Sequence, residues 1–358
     1  MLETLKPFIL HASRRGTADG PIRWIIINTG SGPDAKLLCP CWIGGSPEPA
    51  VVVKFARHPA GNPRIRAEYE ALTHLQSYTI PPENTVPYPL GITEVGGRIV
   101  TLESALPGKP LRTYLHEQTA NADAAGISGA VMRWLTTLAT RSARPSRADD
   151  IHRLILEPLA AAPGELDLSQ AEQEGLGRLG GLVRRLLAAG ELPVVFTHND
   201  LGTPNIMVDR GDFSGVLDWE SGGPGLLATD LVYFLDRLAY ETLSARGKDH
   251  LKGYRHTFFE PAATPEAHPA KEWLFDYCEQ LGISPEWLPV LFGLSWVMHA
   301  RNEKRQHRQR RQRSGFQPQG VSPGVPDTHF RDHLSFYLQN MDRFAEAMSL
   351  DLLPPGGA

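Results

Sequence analysis

The sequence is poor in cysteine, with only Cys39, Cys41 and Cys278 among 358 residues. One C-x-C pair and a distant third cysteine match neither a disulfide framework nor a four-ligand zinc site. The most apolar stretch, residues 287–298, is too short to span a bilayer, and the N-terminus lacks the basic and apolar segments of a secretion signal. A reduced, cytoplasmic protein is therefore predicted.

A G-x-x-x-x-G-K-[ST] loop is also missing, which excludes the P-loop class of nucleotide-binding proteins. The net charge of -4 gives no overall attraction to nucleic acid or to an acidic membrane surface. The local exception is a basic run at residues 301–313, RNEKRQHRQRRQR, which lacks the interleaved aromatic residues of a nucleic-acid-binding stripe. This run predicts either a site for an anionic ligand or a solvated helix end.

Hydrophobic patterning predicts an α+β chain with two lobes. Five strand-like segments lie at residues 22–28, 36–43, 50–56, 88–95 and 98–105. A helix at residues 62–76 follows the third segment, with Asn62 as its expected N-cap and Pro63 in its first turn. From residue 111 the periodicity is helical, except for strand-like pieces at 194–219. We therefore expect an N-terminal five-strand antiparallel lobe with one helix at residues 1–104, and a larger, mostly helical lobe at 105–358.

The strongest chemical signal is an ordered set of polar residues, namely His198, Asp200, Asn205 and Asp218. Two apolar strand-like pieces, 206–208 and 215–217, flank the turn sequence DRGD, so antiparallel pairing would bring Asn205 and Asp218 to the same end of a hairpin. An amide oxygen and a carboxylate are ligands that suit Mg²⁺, which fills its remaining positions with water and phosphate oxygens. A nucleotide-phosphate site is predicted there.

Asp200 precedes Asn205 by five residues and would lie beside the metal without binding it. From that place it can accept or orient the proton of a hydroxyl group. Singly, each of these residues is more often an ordinary turn residue. The ordered set argues for a functional site, because such a combination is much rarer than any one member.

The sequences THNDLGTPNIMV and GVLDWE resemble the catalytic and metal-binding segments of the aminoglycoside phosphotransferase and choline kinase-like family. The resemblance implies a bilobal protein-kinase-like fold. It also implies that Asp200 is the catalytic base or hydroxyl-orienting residue, and that Asn205 and Asp218 hold Mg²⁺ on a nucleoside triphosphate. His198 would support the loop and take no part in the reaction.

The resemblance extends to the N-terminal lobe. Lys54, at the end of VVVKF, stands where kinase-like folds pair a lysine with phosphates and with a helix glutamate. The family pattern R-E-x-x-x-L favours Glu68 over Glu70 as its partner. Between the first two strands, Gly30, Ser31 and Gly32 could bring backbone amides to the phosphates, although a lone G-x-G is a weak signal.

Residues Glu103, Ser104 and Ala105 resemble the hinge whose backbone groups read a nucleobase edge. Backbone readout leaves no side-chain signature, so ATP is expected with GTP left open. The catalytic segment departs from the family motif, because Asn199 replaces a glycine, Gly202 replaces a frequent histidine, and Thr203 and Pro204 stand in place of the usual Pro-Gly.

The implied activity is transfer of a phosphoryl group from ATP to a hydroxyl of a small metabolite, sugar, glycan or antibiotic. A protein acceptor would need a long segment after Asp218, yet a helix is predicted to begin near Asp230. The acceptor itself is open, because acidic and aromatic residues of the C-terminal helices favour a cation whereas the basic run favours an anion. Those acidic and aromatic candidates are Asp236, Glu241, Trp287, Trp296 and Glu303. The alternative is a nucleotide-binding pseudokinase or scaffold whose altered loop no longer supports turnover.

Overall fold

A computed structural model describes residues 21–29, 35–117, 124–243, 250–260, 269–313 and 329–350, together with Pro7 and Ile9. The chain forms two compact units. The first comprises residues 1–141 and 198–223, and the second comprises 142–197 and 224–358. The segment with the ordered polar set thus belongs to the same unit as the N-terminal strands. The lobe boundary after residue 104 stays a prediction.

The first unit contains an antiparallel sheet built from six strands. These are β1 (Ile22–Trp24), β2 (Ile27–Asn28), β3 (Lys36–Ile43), β4 (Val51–Ala56), β5 (Pro89–Val95) and β6 (Arg98–Ser104). Their order is β1-β3-β4-β6-β5, and β2 also pairs with β3. The α+β prediction is confirmed, with one difference, because the first predicted strand is interrupted at Ile25 and Ile26. Both of these side chains are more than half exposed, so no packing holds that stretch in the sheet.

Alternation of side chains along the strands creates the core of this sheet. Cys39 and Cys41 on β3 point to one face and pack there with Val53 on the neighbouring strand β4 and Leu102 on β6. All three cysteines of the chain are free and buried. The reduced setting predicted from the cysteine content stays a prediction.

Helix α1 (Asn62–Leu75) packs on the sheet through Ile65, Leu72 and Leu75. The expectation that Asn62 caps this helix is wrong, because a 3-10 turn at Pro59–Gly61 precedes the helix and Gly61 is the N-cap. Asn62 has helical dihedral angles instead. Its side chain accepts a hydrogen bond from the N–H of Ile99 and donates to the carbonyl of Gly97, both at 2.9 Å. The asparagine therefore ties the helix to the β5–β6 hairpin.

The remainder of the first unit contains two helices and a small sheet. The helices are α2 (Leu111–Glu117) and α3 (Ala124–Ser142), whose last residue belongs to the second unit, and the strands are β7 (Lys109–Pro110), β9 (Ile206–Asp209) and β10 (Asp212–Val216). The sheet order is β10-β9-β7. Trp134 on α3 donates from its indole nitrogen to the hydroxyl of Thr85 at 2.8 Å and packs beside Trp219. This packing supports the chain that follows the hairpin.

The second unit is mostly helical. Its helices are α4 (Ala148–Ile151), α5 (Glu157–Leu166), α6 (Gln170–Ala189), α7 (Thr229–Leu243), α8 (His250–Phe258), α9 (Pro269–Gln280), α10 (Leu288–Arg313), α11 (His329–Gln339) and α12 (Met341–Ala347). Strand β8 (Val194–Thr197) pairs with β11 (Gly223–Leu226), and a π-helical turn at His152–Leu156 leads into α5. Helix α10 packs against α5 and α11, and Trp296 and Phe292 on it are completely buried.

Within the described residues, no single helix is both long and apolar enough to span a bilayer. One helix pair, 271–280 and 285–305, meets those limits only in combination, and the pair is bent by 119°.

Candidate functional site

A tight hairpin brings Asn205 and Asp218 together. Strands β9 and β10 are antiparallel, with Asp209 opposite Asp212 at the turn and Ile206 opposite Val216 at the other end. The connecting Arg210 and Gly211 both have positive φ, at 53° and 98°. Such turns match the twist of the flanking strands. Just beyond the open end of the hairpin, the N–H of Leu217 donates to the carbonyl of Asn205 at 2.8 Å. The predicted hairpin is therefore confirmed, and its open end holds the amide and the carboxylate.

Two glycines allow other chain segments to approach this hairpin closely. At Gly108 φ is 92°, and a β-carbon there would lie 2.1 Å from the carbonyl oxygen of Val208. At Gly215, in the strand bulge, a β-carbon would lie 2.4 Å from the carbonyl oxygen of Thr85, which accepts the N–H of Val216 at 2.8 Å. Both positions exclude any larger residue without backbone movement.

The His198 imidazole links the loop of Asp200 to the segment before Asp218. Its Nδ1 accepts the N–H of Asp200 at 3.2 Å, so Nε2 carries the proton and donates to the carbonyl of Leu217 at 2.7 Å. The ring is fully buried and packs against Trp219, 4.6 Å away between ring centroids. These contacts fix the relative position of the two acidic residues.

Asn199 has a φ of 63°, in the left-handed region that glycine and asparagine adopt more readily than other residues. Its side-chain amide donates to the carbonyl of Ser221 at 2.8 Å. The substitution of asparagine for the family's glycine therefore keeps the backbone shape that this position needs. It also adds a tie across the loop that glycine cannot make.

Asn205 is oriented by Asp200. Its Nδ2 donates to the Asp200 carbonyl oxygen at 2.8 Å and approaches the Asp200 carboxylate at 3.4 Å. The amide nitrogen is thus committed, which leaves the amide oxygen as the atom able to bind a cation. With the carboxylate of Asp218, this donor set fits a small, hard divalent cation such as Mg²⁺.

Lys54 on β4 is held between two buried carboxylates. Its Nζ lies 2.6 Å from Glu68 on α1 and 2.7 Å from Glu103 on β6, and all three side chains are at most 7% exposed. The structure thus pairs Lys54 with Glu68, whereas Glu70 is exposed. Antiparallel register explains the second contact, because Lys54 faces Thr101 and Val52 faces Glu103, so both side chains project from one sheet face.

Burial and charge act in opposite directions on this cluster. Burial alone would lower the pKa of Lys54, but attraction by Glu103 and Glu68 outweighs it and the pKa is raised. For Glu103, burial has a larger effect on the pKa than the attraction by Lys54. Burial raises its pKa to about 7 despite the neighbouring Lys54. The site therefore holds a permanently charged lysine beside a carboxyl group that titrates near neutral pH.

A second lysine, Lys36 at the start of β3, also reaches the site. Its ammonium contacts the carboxylate of Asp218, lies 2.7 Å from Glu220 and 3.6 Å from Glu68, and its side chain is only 10% exposed. Glu220 is additionally bound by Arg64 of α1. Sequence reasoning missed Lys36, Glu220 and the carboxylate of Glu103. One sequence signal for Lys36 was available. Lys36 lies two residues before Leu38 and therefore on the same face of the strand, and Leu38 faces Lys54 on the adjacent strand.

Asp218 is ionised in this arrangement. Burial would raise its pKa, but attraction by Lys36 and Lys54 outweighs burial and lowers the pKa instead. Its backbone has a φ of 66°, which starts the 3-10 turn Trp219–Ser221 and aims the carboxylate back toward the sheet.

Ser104 and Ala105 follow Glu103, and their backbone N–H groups are already hydrogen-bonded. The N–H of Ser104 donates to the Tyr88 carbonyl at 2.9 Å, and that of Ala105 donates to the Ala50 carbonyl at 3.1 Å. Their role as a nucleobase hinge stays a prediction. Gly30, Ser31 and Gly32 lie outside the described residues.

Comparison with known proteins places these residues in context. The model of a family described as the phosphotransferase enzyme family matches residues 41–281, which include Lys54, Asp200, Asn205 and Asp218. No curated protein matches the sequence.

Solved structures of aminoglycoside phosphotransferases share the fold. The crystal structure of APH(4)-Ia aligns with a TM-score of 0.54 at 10% identity, covering 97% of this chain and 99% of that one. A thermostable mutant of the same protein, in ternary complex with ADP and hygromycin B, aligns with a TM-score of 0.54 at 10% identity over 93% and 95% of the two chains. These similarities establish a protein-kinase-like fold.

Proposed function

Because the chain belongs to the phosphotransferase enzyme family, we propose that it transfers the terminal phosphoryl group of ATP to a hydroxyl of a small molecule. The observation that carries this proposal is the grouping of Lys54, Asp200, Asn205 and Asp218 in one compact unit, with the hairpin at its centre. Each of the four supplies a different part of phosphoryl transfer.

Lys54 would position the triphosphate. The ammonium is fixed from two sides by Glu68 and Glu103, so little conformational freedom remains to be lost when a phosphate binds. Desolvation offsets much of the attraction within a buried ion pair, so the value of this pair lies in the placement of the charge.

Asn205 and Asp218 would hold Mg²⁺, which when bound supplies charge neutralisation at the phosphate oxygens. The Asp200–Asn205 hydrogen bond supports this assignment, because it turns the amide oxygen of Asn205 outward. The low pKa of Asp218 keeps the carboxylate available at neutral pH.

Asp200 would orient the acceptor hydroxyl. Its side chain is exposed, while its backbone is fixed by His198 and by the turn in which the N–H of Gly202 donates to its carbonyl at 2.8 Å. In the reaction, the acceptor oxygen forms a bond to the terminal phosphorus as the bond to the ADP oxygen breaks, and the hydroxyl proton passes to the Asp200 carboxylate. Catalysis is then mainly placement and charge neutralisation.

Part of the basic run is engaged in ion pairs. In the second unit, the Arg301 guanidinium binds Glu157 and Glu165 at 2.6–2.7 Å, and Lys304 binds Asp167. These two cations are paired with carboxylates of their own unit, whereas Arg308 on the same helix is exposed. The related structures include a complex with hygromycin B. Aminoglycosides are therefore among the acceptors to test.

The test is a transfer assay read by mass spectrometry. Purified protein is incubated with Mg²⁺, ATP and pools of aminoglycosides, other glycosides, sugars and amino alcohols. Alongside it run Asp200→Asn and the control Asp212→Asn, an exposed aspartate on the same hairpin. The proposal predicts a phosphorylated acceptor with the wild type and with Asp212→Asn, and at least 100-fold less product with Asp200→Asn. Tight ATP binding without transfer to any pool would favour the scaffold alternative.

A further inference from the structure

The register of strands β3 and β4 sets the position of Lys36 relative to Lys54. Lys36 lies opposite Ala56 and Leu38 lies opposite Lys54 in the β3–β4 register, so both lysines project from the same face of the sheet. Lys36 is also the first residue of its strand.

The two lysines divide the acidic side chains of the site between them. Lys54 binds Glu68 and Glu103, whereas Lys36 binds Asp218 and Glu220 and approaches the second oxygen of Glu68 at 3.6 Å. The partner of Lys36 is thus the carboxylate proposed as a metal ligand. A divalent cation that binds the same oxygen of Asp218 has to take the place of the Lys36 ammonium.

An ammonium on a four-carbon side chain can move between two nearby acceptors at small cost, because its charge is compact and its donors rotate freely. When Lys36 leaves Asp218, it stays beside Glu220, whose other oxygen is held by Arg64. The ammonium therefore remains in the site and becomes available to a phosphate oxygen.

We propose that Lys36 is a positioning residue that neutralises Asp218 and Glu220 before nucleotide binds and then serves as a second lysine cation for the triphosphate. This inference rests on the proposed function and adds a role that Lys54 alone would not fill. It has two consequences. The protein binds nucleotide appreciably without a divalent cation, and it binds a divalent cation without nucleotide more weakly than a protein that lacks Lys36.

The experiment measures binding, so it does not depend on turnover. Affinity for AMP-PNP is determined by calorimetry in EDTA, and affinity for Mn²⁺ without nucleotide is determined from the paramagnetic resonance signal of the free ion. Wild type is compared with Lys36→Met, with Lys36→Arg, and with Lys109→Met. Lys109 is the control, because it is a partly exposed lysine of the same unit whose ammonium contacts Glu117 and none of Glu68, Asp218 and Glu220.

Removing one positive charge from a mostly buried site should change each affinity at least tenfold. For Lys36→Met we expect weaker AMP-PNP binding in EDTA and tighter Mn²⁺ binding, while Lys36→Arg stays near the wild type in EDTA and Lys109→Met changes neither. If both affinities of Lys36→Met stay within twofold of the wild type, Lys36 only secures the strand and the inference is wrong. If the wild type itself binds no AMP-PNP with or without Mn²⁺, the proposed function is wrong.

A measurement on the wild type alone covers the case in which Lys36→Met does not fold. Acetylation of lysines by acetic anhydride is read by peptide mass spectrometry, with Lys109 as the internal reference. Mn²⁺ alone should raise the acetylation of Lys36, and Mn²⁺ with AMP-PNP should suppress it. Acetylation of Lys36 that responds to neither addition would overturn the inference.

Discussion

The Nε2–H of His198 donates to the carbonyl of Leu217 at 2.7 Å, and this bond joins the loop of Asp200 to the residue before Asp218. We predict that His198→Phe, which keeps a buried ring but loses both hydrogen bonds, lowers kcat about 100-fold, because displacements near 1 Å have effects of that size. The KM for ATP should change by less than about threefold. Steady-state kinetics beside His152→Gln, an exposed histidine, checks this. An unchanged kcat would show that the His198 bonds do not align the site.

We predict that Asn199→Gly leaves the stability of the protein nearly unchanged and that Asn199→Ala lowers it. Its positive φ costs an alanine about 1–2 kcal/mol, whereas glycine adopts it freely and loses only the bond to Ser221. Urea unfolding should therefore rank the wild type and Asn199→Gly close together and Asn199→Ala below both. Equal stability of the glycine and alanine variants would contradict the role assigned to this backbone conformation.

Glu103 should give the protein a pH-dependent stability near neutrality. Its pKa is raised from 4.5 to about 7, so the folded protein binds this proton more tightly than the unfolded chain does. Stability should therefore fall as the pH rises from about 4.5 to 7 and then level off. Glu103→Gln removes that contribution, so the wild type should lose several degrees in Tm relative to this variant between pH 5 and 8. A constant Tm difference across that range would refute the prediction.

Asp236, in the second unit, is the centre of a buried polar cluster. Its Oδ2 accepts from Arg237 at 2.6 Å and its Oδ1 accepts from His333 at 2.8 Å. Burial would raise its pKa, but attraction by His333 and Arg237 lowers it, so its contribution to stability is present at neutral pH and lost as the pH falls below about 4. Asp236→Asn should cost about 3–5 kcal/mol at pH 7. Asp342→Asn, whose side chain is 73% exposed, should cost less than about 1 kcal/mol.

Asp236, His329 and His333 also have ligand atoms close enough to hold a metal ion. Arg237 already contacts both Asp236 and His329, and it supplies the positive charge at that point. Dialysis against EDTA should therefore leave the Tm unchanged within about 1 °C, and Asp236→Asn should lose no bound metal. A clear fall in Tm, or one bound zinc per chain by elemental analysis, would assign the cluster to a metal.

Arg301 should behave as a structural residue. It is 3% exposed and donates to both Glu157 and Glu165, so Arg301→Ala leaves two carboxylates without their main partner. We expect a loss of about 1–3 kcal/mol in unfolding free energy, because Glu157 and Glu165 stay partly exposed to water, whereas Arg308→Ala, at an exposed position, should change it by less than about 0.5 kcal/mol. Similar small effects for both variants would show that the ion pairs of Arg301 do not stabilise the fold.

The sequence predicted the hairpin because its signals are local. A two-residue turn between apolar strands fixes the register, and register then determines where Asn205 and Asp218 lie. The pairing of Lys54 with Glu68 instead of Glu70 also has a local reason, since of these two glutamates only Glu68 lies on the buried face of its helix. The N-cap of that helix was misassigned because the 3-10 turn before it shifted the cap by one residue.

The contacts of Lys36 could not be predicted in the same way. Lys36 and Asp218 are 182 residues apart, and a lysine at a strand end is usually solvated. The sequence motif predicts a role only for the backbone of Glu103, whereas its side chain contacts Lys54 on the neighbouring strand. Long-range charge pairing of this kind depends on the folded register of several strands, which local patterns do not fix.

Isotope labelling follows the terminal phosphoryl group of ATP to the acceptor hydroxyl. ATP with ¹⁸O in the γ-phosphoryl group is incubated with the protein, Mg²⁺ and the acceptor pools, and the masses of the products are measured by mass spectrometry. We predict an acceptor that carries three ¹⁸O atoms in its new phosphoryl group, because the P–O bond to ADP breaks and the acceptor supplies the fourth oxygen. Labelled inorganic phosphate alone, with no labelled acceptor in any pool, would contradict the account.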